Sequence, residues 1–236
     1  MKVSVIIPTY NEGLNIKILI PKIFEELNKL GVKGELIIVD DNSSDNTKIT
    51  AKEMQKRFKE LKMIYREKKL GIGSAYRRGV KEASGDIIVL MDGDLSHDPK
   101  YLEKIIPEFN NGGVDLVVGS RYVKGGKIVG WGWQRHLTSS VANRLSRLFL
   151  GIPIRDLTSG YRGFKKELIR KINFDKIQSN GYSFILETNF LACESKAKIK
   201  EIPIIFWQRS QGKSKLGRKE FLKYLITILR LFFSRI

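Results

Sequence analysis

The sequence predicts an α/β domain in which helices flank a mostly parallel sheet, and three observations carry that prediction. Short apolar, β-branched runs recur at 3–7, 36–39 and 86–91, each bounded by turn residues. Helical stretches alternate with them, which implies right-handed βαβ units whose strands share one carboxyl edge. Polar or acidic residues stand at three of those strand ends: Thr9 and Glu12, Asp40 and Asp41, Asp92 and Asp94. In open sheets of this kind, ligands collect outside the carboxyl ends of the strands.

Val3-Ser4-Val5-Ile6-Ile7 reads as the first strand, stopped by Pro8, with a helix expected over 13–30. The second strand, 36–39, runs into a polar segment from Asp40 to Thr47. There Ser44 or Asp45 is placed to cap a helix over 46–60, while Asp40 faces a ligand. Strand 62–65, helix 72–84, strand 86–91, helix 98–110 and strand 114–118 continue the alternation. Residues 121–171 read as an elaboration of the sheet. They contain an amphipathic helix over 137–150, in which Leu137, Val141, Leu145, Leu148 and Phe149 recur at helical spacing. A helix near 184–195 and a returning strand at 199–206 follow. The last helix, Phe221 to Phe233, is apolar around most of its circumference between basic residues. Its longest charge-free run, Tyr224 to Leu229, falls short of the ~20 residues of a membrane span, so it is expected to lie in an interface.

At 236 residues the chain suffices for one full sheet with helices on both faces. A single cysteine, Cys193, excludes a disulfide framework and fits a reducing cytoplasm. Met1-Lys2 leads straight into the first strand, so no signal peptide is expected. The net charge of +18 is concentrated: residues 121–171 hold 12 Lys/Arg against 2 acids, and residues 207–236 hold 8 against 1. Two basic segments on a near-neutral body point to a polyanionic partner. Nucleic acid is not expected, because the chain lacks an RNA-recognition motif, a zinc ligand set and stacking aromatics between the basic residues. An anionic membrane surface and a phosphorylated lipid fit better, since apolar helices accompany both segments.

Asp92-Gly93-Asp94 carries the most chemistry. Two carboxylates one residue apart, followed by Ser96 and His97, form an oxygen-rich cluster suited to Mg²⁺ or Mn²⁺ carrying phosphates. Alone, Asp-x-Asp is a common turn; its company gives it weight. That company is six ordered segments: VSVIIPTYNE (3–12), IIVDDNSSDNT (37–47), LGIGSAYRRG (70–79), GDIIVLMDGDLSHDP (85–99), GSRYVKGG (119–126) and DLTSGYRGF (156–164). They resemble the inverting nucleotide-sugar glycosyltransferases of GT-A (Rossmann-like) fold, and more narrowly the dolichyl-phosphate (polyprenyl-phosphate) mannose synthases.

The resemblance implies a division into a GT-A domain over 1–216, with a donor half (1–120) and an acceptor half (121–216), and an amphipathic membrane-interface helix over 217–236. It implies that Pro8, Tyr10, Glu12, Ile38 and Asp40 contact the base and ribose of the donor. Asp92, Gly93 and Asp94 would meet its ribose, diphosphate and Mg²⁺ or Mn²⁺, with Ser96 standing where the family often has Gln. Arg121 and Arg135 would face the phosphates, and Arg209 and Lys215 belong to a segment resembling the family's loop over the donor diphosphate. Asp94, Arg121, Arg209 and Lys215 are the residues expected to act in catalysis. Asp156 and Ser159 shape the acceptor site or serve as buried caps.

Inverting relatives that glycosylate sugar hydroxyls carry an acidic base and a Gln-x-x-Arg-Trp segment, and neither stands here at the corresponding place. Glu187, followed by Thr188, is the nearest counterpart. A hydroxyl acceptor needs a general base. A phosphate monoester, with a second pKa of about 6, does not. The expected reaction is transfer of mannose from GDP-mannose to dolichyl or polyprenyl phosphate at the cytoplasmic face of a membrane, with separate transmembrane partner subunits as a further expectation. The alternatives are a relative using UDP-glucose or another nucleotide sugar, and a catalytically silent membrane scaffold.

Overall fold

The computed structural model describes residues 1–110, 113–208 and 218–234. Four strands and three helices alternate first: β1 (Lys2–Thr9), α1 (Gly13–Lys29), β2 (Lys33–Asp40), α2 (Thr47–Arg57), β3 (Leu61–Tyr65), α3 (Ile72–Glu82) and β4 (Ile87–Leu90). A short helix α4 (Leu102–Ile105), β5 (Leu116–Ser120), β6 (Lys127–Val129) and the long α5 (Trp133–Leu150) follow. The chain then forms β7 (Arg162–Lys165), α6 (Lys166–Ile172), α7 (Gly181–Glu194), β8 (Ile199–Pro203), β9 (Ile205–Trp207) and α8 (Arg218–Phe233).

Seven strands make one sheet in the order β3-β2-β1-β4-β7-β5-β8, and β6 pairs with β9 in a small second sheet. All pairings in the large sheet are parallel except those of β7, which runs antiparallel to both β4 and β5. Side chains alternate across a strand, so each strand serves two cores. Val5 and Ile7 of β1 pack with Ile16, Leu19, Ile20 and Ile23 of α1. Ile6 faces the opposite core with Tyr76 of α3 and Phe184 of α7. Each such fully buried aliphatic side chain contributes about 1.5–3 kcal/mol.

The parallel donor-side alternation is as the sequence predicts, and several later elements differ, β6 and α6 among them. The helix expected over 98–110 is broken into a turn of 3₁₀-helix at Pro99–Tyr101, α4, and another at Pro107–Phe109. Pro107 lacks the N–H that would continue α4. The returning strand expected at 199–206 is two strands in different sheets. β7 was not expected at all, because its pattern, Arg162-Gly163-Phe164-Lys165, puts a charge and a glycine where a strand signal needs apolar side chains. Gly163 is required there: a Cβ would stand 2.7 Å from Ile105 and 2.9 Å from Phe109.

The C-terminal helix packs on the same body. Tyr224, Ile228 and Leu231, at helical spacing, are buried in the core shared with α5 and α7, and the Tyr224 hydroxyl lies 3.0 Å from Ser146 Oγ. Its other face leaves Leu222, Ile226, Leu229 and Phe233 exposed. On α5, Trp133, Leu137, Val141 and Leu148 are exposed in the same manner. No helix among the described residues is long and apolar enough to cross a membrane.

Candidate active site

The register of the sheet aligns the functional segments. Thr9 stands opposite Asp40, and Ile6 opposite Leu90, so the ends of β1, β2 and β4 open at one level. Above them lies a cavity of about 820 Å³. It is lined by Pro8, Thr9, Tyr10, Glu12, Asp41 and the 69–72 segment, by Asp92, Gly93, Asp94 and His97, by Arg121, Trp131 and Arg135, and by residues of α5, the 178–183 segment and α8.

The Asp92–Asp94 turn is built for close approach. A Cβ on Gly93 would meet Ile7 Cγ2 at 3.0 Å and the Pro8 carbonyl oxygen at 3.3 Å. Leu95 adopts φ of 62°, a left-handed conformation that costs a non-glycine residue about 1–3 kcal/mol. That turn brings the Ser96 N–H to Asp94 Oδ1 at 3.1 Å, and the Ser96 hydroxyl donates to the same oxygen. Ser96 is buried behind Asp94 and does not reach the cavity, unlike the ligand position expected for it. Asp92 Oδ1 accepts from the Tyr76 hydroxyl at 3.2 Å, and burial together with the Asp92 charge raises Tyr76 well above the usual phenol range, keeping it a donor.

His97 is stacked on Tyr161, and its Nδ1 accepts the Asp92 backbone N–H at 3.2 Å. Burial lowers its pKa, with Asp92 and Asp94 pulling the other way, so the ring is neutral. With Nδ1 accepting, the proton resides on Nε2, which has no hydrogen-bond partner among the described residues.

The donor set fits a hard divalent cation bound together with a ligand. Two carboxylates, Asp92 and Asp94, line the same stretch of cavity. No group of three His, Cys, Asp or Glu suited to a metal is present among the described residues. Such a pair leaves most of the coordination sphere to phosphate oxygens and water, the arrangement Mg²⁺ favours.

Asp40 does not reach the cavity. It is fully buried and accepts from Thr9 Oγ1 at 3.0 Å, from the Ser43 N–H at 3.0 Å and from the Ser43 hydroxyl. Its neighbour Asp41 lines the cavity instead. Asp41 accepts from the Leu70 and Gly71 N–H groups at 3.2 and 2.9 Å and pairs with Arg66. Ile38 likewise lies in the core beneath the site. Pro8, Tyr10 and Glu12 do line the cavity, with the Lys69 ammonium 3.6 Å over the Tyr10 ring. The expected cap is present in altered form: the Asp45 carboxylate accepts from the Thr47 N–H at 3.0 Å and from the Gly13 N–H at 3.1 Å, tying α2 to α1.

Arg121 and Arg135 come together at Trp131, their guanidinium carbons 5.3 and 3.9 Å from its ring centre. Arg121 is fixed by Asp156, whose carboxylate accepts from Nε and Nη2 at 2.7 Å each. Burial disfavours both charges, but the pair outweighs it: Asp156 is held below its usual range and Arg121 above its own. Ser159 is buried beside this pair's loop. Arg209 and Lys215 lie outside the described residues.

Glu187, the nearest counterpart of an acidic base, is closed off. Its carboxylate accepts from Arg230 Nη2 at 2.6 Å, from the Ser179 N–H at 3.0 Å and from the Gln178 N–H at 3.4 Å. Arg230 of α8 and the 178–183 segment were not expected to line the site. Nothing in the sequence separates Arg230 from the other basic residues of its helix.

The model of the family described as "Glycosyl transferase family 2" matches residues 4–173. The chain belongs to glycosyl transferase family 2. Within the family's curated members, it is 40% identical over 233 residues to a dolichol-phosphate mannosyltransferase of Pyrococcus furiosus. That match covers 98% of this chain but only 64% of the relative's length. It is 34% identical to a polyprenol monophosphomannose synthase of Mycolicibacterium smegmatis, covering 90% of this chain and 80% of the relative. Among solved structures, glucosyl-3-phosphoglycerate synthase of Mycobacterium tuberculosis with phosphoglyceric acid superposes with a TM-score of 0.73 at 22% identity, covering 98% of this chain and 79% of that one. The same enzyme with Mn²⁺, uridine diphosphate and phosphoglyceric acid gives 0.72 at 20% identity, covering 98% and 78%. These superpositions give the GT-A fold.

Proposed function

We propose that this chain transfers mannose from GDP-mannose to dolichyl or another polyprenyl phosphate, with inversion, at the cytoplasmic surface of a membrane. The observation that carries the reading is the continuity of the cavity. One space joins the strand-end carboxylates Asp92 and Asp94 to the paired arginines Arg121 and Arg135, and runs on beside the helices α5 and α8. In this reading the nucleotide sugar lies at the strand-end segments, the acceptor phosphate at the arginines, and the prenyl chain beside α5 and α8, whose outer faces carry exposed apolar side chains. The names of the two curated relatives support the same substrate classes.

Asp92 and Asp94 would hold Mg²⁺ or Mn²⁺ with the donor diphosphate. The ion, when bound, neutralises charge on the departing nucleoside diphosphate. Arg135 would orient the acceptor phosphate, joined by the Nη1 group of Arg121, whose Nε and Nη2 are already held by Asp156 and Thr158. An acceptor phosphate oxygen attacks the anomeric carbon on the face opposite the leaving diphosphate: the new C–O bond forms as the bond to the diphosphate breaks. The product is a β-linked mannosyl phosphoprenol. No protein group removes a proton, because the phosphate is already largely dianionic near neutral pH, and Glu187, already held by Arg230 and two N–H groups, is not needed as a base. The nucleoside would lie between Tyr10, Asp41 and the 69–72 segment, and the expected roles of Arg209 and Lys215 remain part of this proposal.

Membrane association rests on the exposed apolar side chains of α5 and α8 and on the basic charge around them. The test is to offer a panel of nucleotide sugars with a polyprenyl phosphate and analyse the lipid product by mass spectrometry. A hexosyl phosphoprenol formed preferentially from GDP-mannose supports the proposal. Preferential use of UDP-glucose moves the donor assignment, and no lipid product from any donor overturns the reaction.

A further inference from the structure

We propose that a groove on the outer flank of α5 is a binding site for the phosphodiester headgroups of anionic phospholipids, separate from the acceptor cavity. This rests on the membrane-peripheral reading above and deepens it. The groove has a volume of about 780 Å³, and Arg144, Arg147 and Arg155 are the charged groups that line it, together with Tyr122 and Leu148. All three arginines are exposed, and none has a side-chain ion pair among the described residues. Of the acids beside Arg155, Asp156 is paired with Arg121, and Glu201 accepts the backbone N–H groups of Arg155 and Asp156 at 2.8 and 3.1 Å. Three guanidinium groups without a side-chain ion pair among the described residues, around one concavity, favour an anion with several oxygens, and phosphate suits their planar forks.

The surroundings select a lipid source for that phosphate. Arg144 follows Val141 by three residues and precedes Leu148 by four, so it shares their face of α5. Val141 is 39% exposed and Leu148 76%. A bare apolar stripe flanked by cations matches the boundary between acyl chains and headgroups, where the charge stays at headgroup level and the apolar side chains enter. A free phosphate would make no use of Leu148.

One hydrogen bond links the groove to the cavity wall. The Tyr122 hydroxyl donates to Ser139 Oγ at 2.8 Å, and Ser139 lines the cavity on the other flank of α5. Arg121 reaches the same wall by donating to Thr158 Oγ1 at 2.7 Å. A headgroup held at Arg144, Arg147 and Arg155 would therefore fix the height and tilt at which the cavity mouth meets the bilayer.

The test is sedimentation of the full chain with vesicles of phosphatidylcholine alone and of phosphatidylcholine with phosphatidylglycerol. The variant R144Q/R147Q/R155Q is compared with K52Q/K56Q/K59Q, which removes the same charge from exposed positions on and beside α2. Thermal midpoints establish that both variants fold. Each cation at an anionic surface contributes about 1 kcal/mol, so the arginine variant should bind the anionic vesicles on the order of 10²-fold more weakly. Its binding to phosphatidylcholine, and the anionic binding of the lysine variant, should stay within about threefold of the unaltered chain. Equal losses in the two variants would overturn the proposal, since net charge alone would then explain the binding. Unchanged anionic binding in the arginine variant would overturn it as well. Glycerol phosphate that releases the protein more effectively than sodium chloride of equal ionic strength would identify a soluble phosphate as the ligand and contradict the lipid assignment. Binding of RNA, lost in the arginine variant while vesicle binding persists, would do the same. Failure of sugar transfer in the donor panel would count against the reaction and not against the groove.

Discussion

Replacing Asp156 by Asn removes the charge against which Arg121 is buried, with almost no change of shape. Asp156 is fully buried, and the Arg121 side chain is 4% exposed. The carboxylate accepts from Nε and Nη2 at 2.7 Å each and from the Arg121 backbone N–H at 2.9 Å. An Asn amide keeps one acceptor oxygen and turns its NH₂ toward a donor, so the fork is broken and the guanidinium is left without its counter-charge. Removing one partner of a buried pair costs about 3–5 kcal/mol. In a domain of this size ~1 kcal/mol lowers Tm by about 2–4 °C, which gives a drop of roughly 6–20 °C. Urea and thermal unfolding of Asp156→Asn near neutral pH measure it. The pH dependence supplies a second readout. Burial raises the Asp156 pKa, but Arg121 outweighs it and the folded value lies below the ordinary one. Stability from this group is therefore present above the ordinary carboxylate pKa of about 4 and is lost as pH falls through the folded value. The gap between the unaltered protein and the variant should narrow in that acid window. A loss under about 1 kcal/mol near neutral pH, or a gap that holds constant into strong acid, would refute the reasoning.

Asp94→Asn should leave the fold intact and abolish Mn²⁺-supported transfer, with calorimetric Mn²⁺ binding in the presence of nucleotide lost as well; retained binding would remove Asp94 from the metal site. Gly160→Ala would place a Cβ 3.1 Å from Asp92 Oδ1 and 3.3 Å from Oδ2, and displacing that carboxylate should weaken the same binding by about 10–100-fold. Glu187→Gln should lower transfer by less than about tenfold and preserve an acidic limb near pH 6, whereas a proton-accepting role predicts a fall of ~10²–10⁴ and loss of the limb. The double variant I226S/L229S on the exposed face of α8 should weaken vesicle binding by about 10²-fold with Tm little changed, because neither side chain is in the core. A fall in Tm with vesicle binding intact would return that face to the protein interior.

The donor side was legible because its strands are short apolar runs whose ends carry the chemistry: β1, β2 and β4 stand where Val3–Ile7, Leu36–Val39 and Ile87–Met91 place them. The exchange of Asp40 for Asp41 at the cavity shows the limit of that reading. Two adjacent acids at a strand end point to opposite sides, and only the register with Thr9 and the bonds to Ser43 reveal which one faces inward. β7 was hidden because Arg162 and Gly163 answer to tertiary neighbours, α7 and the Ile105–Phe109 turn, and not to strand periodicity. The C-terminal helix was visible as a helical stretch over Phe221–Phe233. That Tyr224, Ile228 and Leu231 bury one face against α5 and α7, and that Arg230 holds Glu187, depends on contacts distant in sequence.

The central claim is that the acceptor's own phosphate is the nucleophile, and a matched pair of acceptors tests it most directly. With GDP-mannose and Mg²⁺, polyprenyl phosphate and the polyprenol of the same chain length are offered separately, and the lipid products are analysed by mass spectrometry and by the anomeric coupling in NMR. The account predicts a β-mannosyl phosphoprenol from the first and no product from the second. Transfer to the polyprenol hydroxyl, or to a free sugar hydroxyl, at a comparable rate would contradict it.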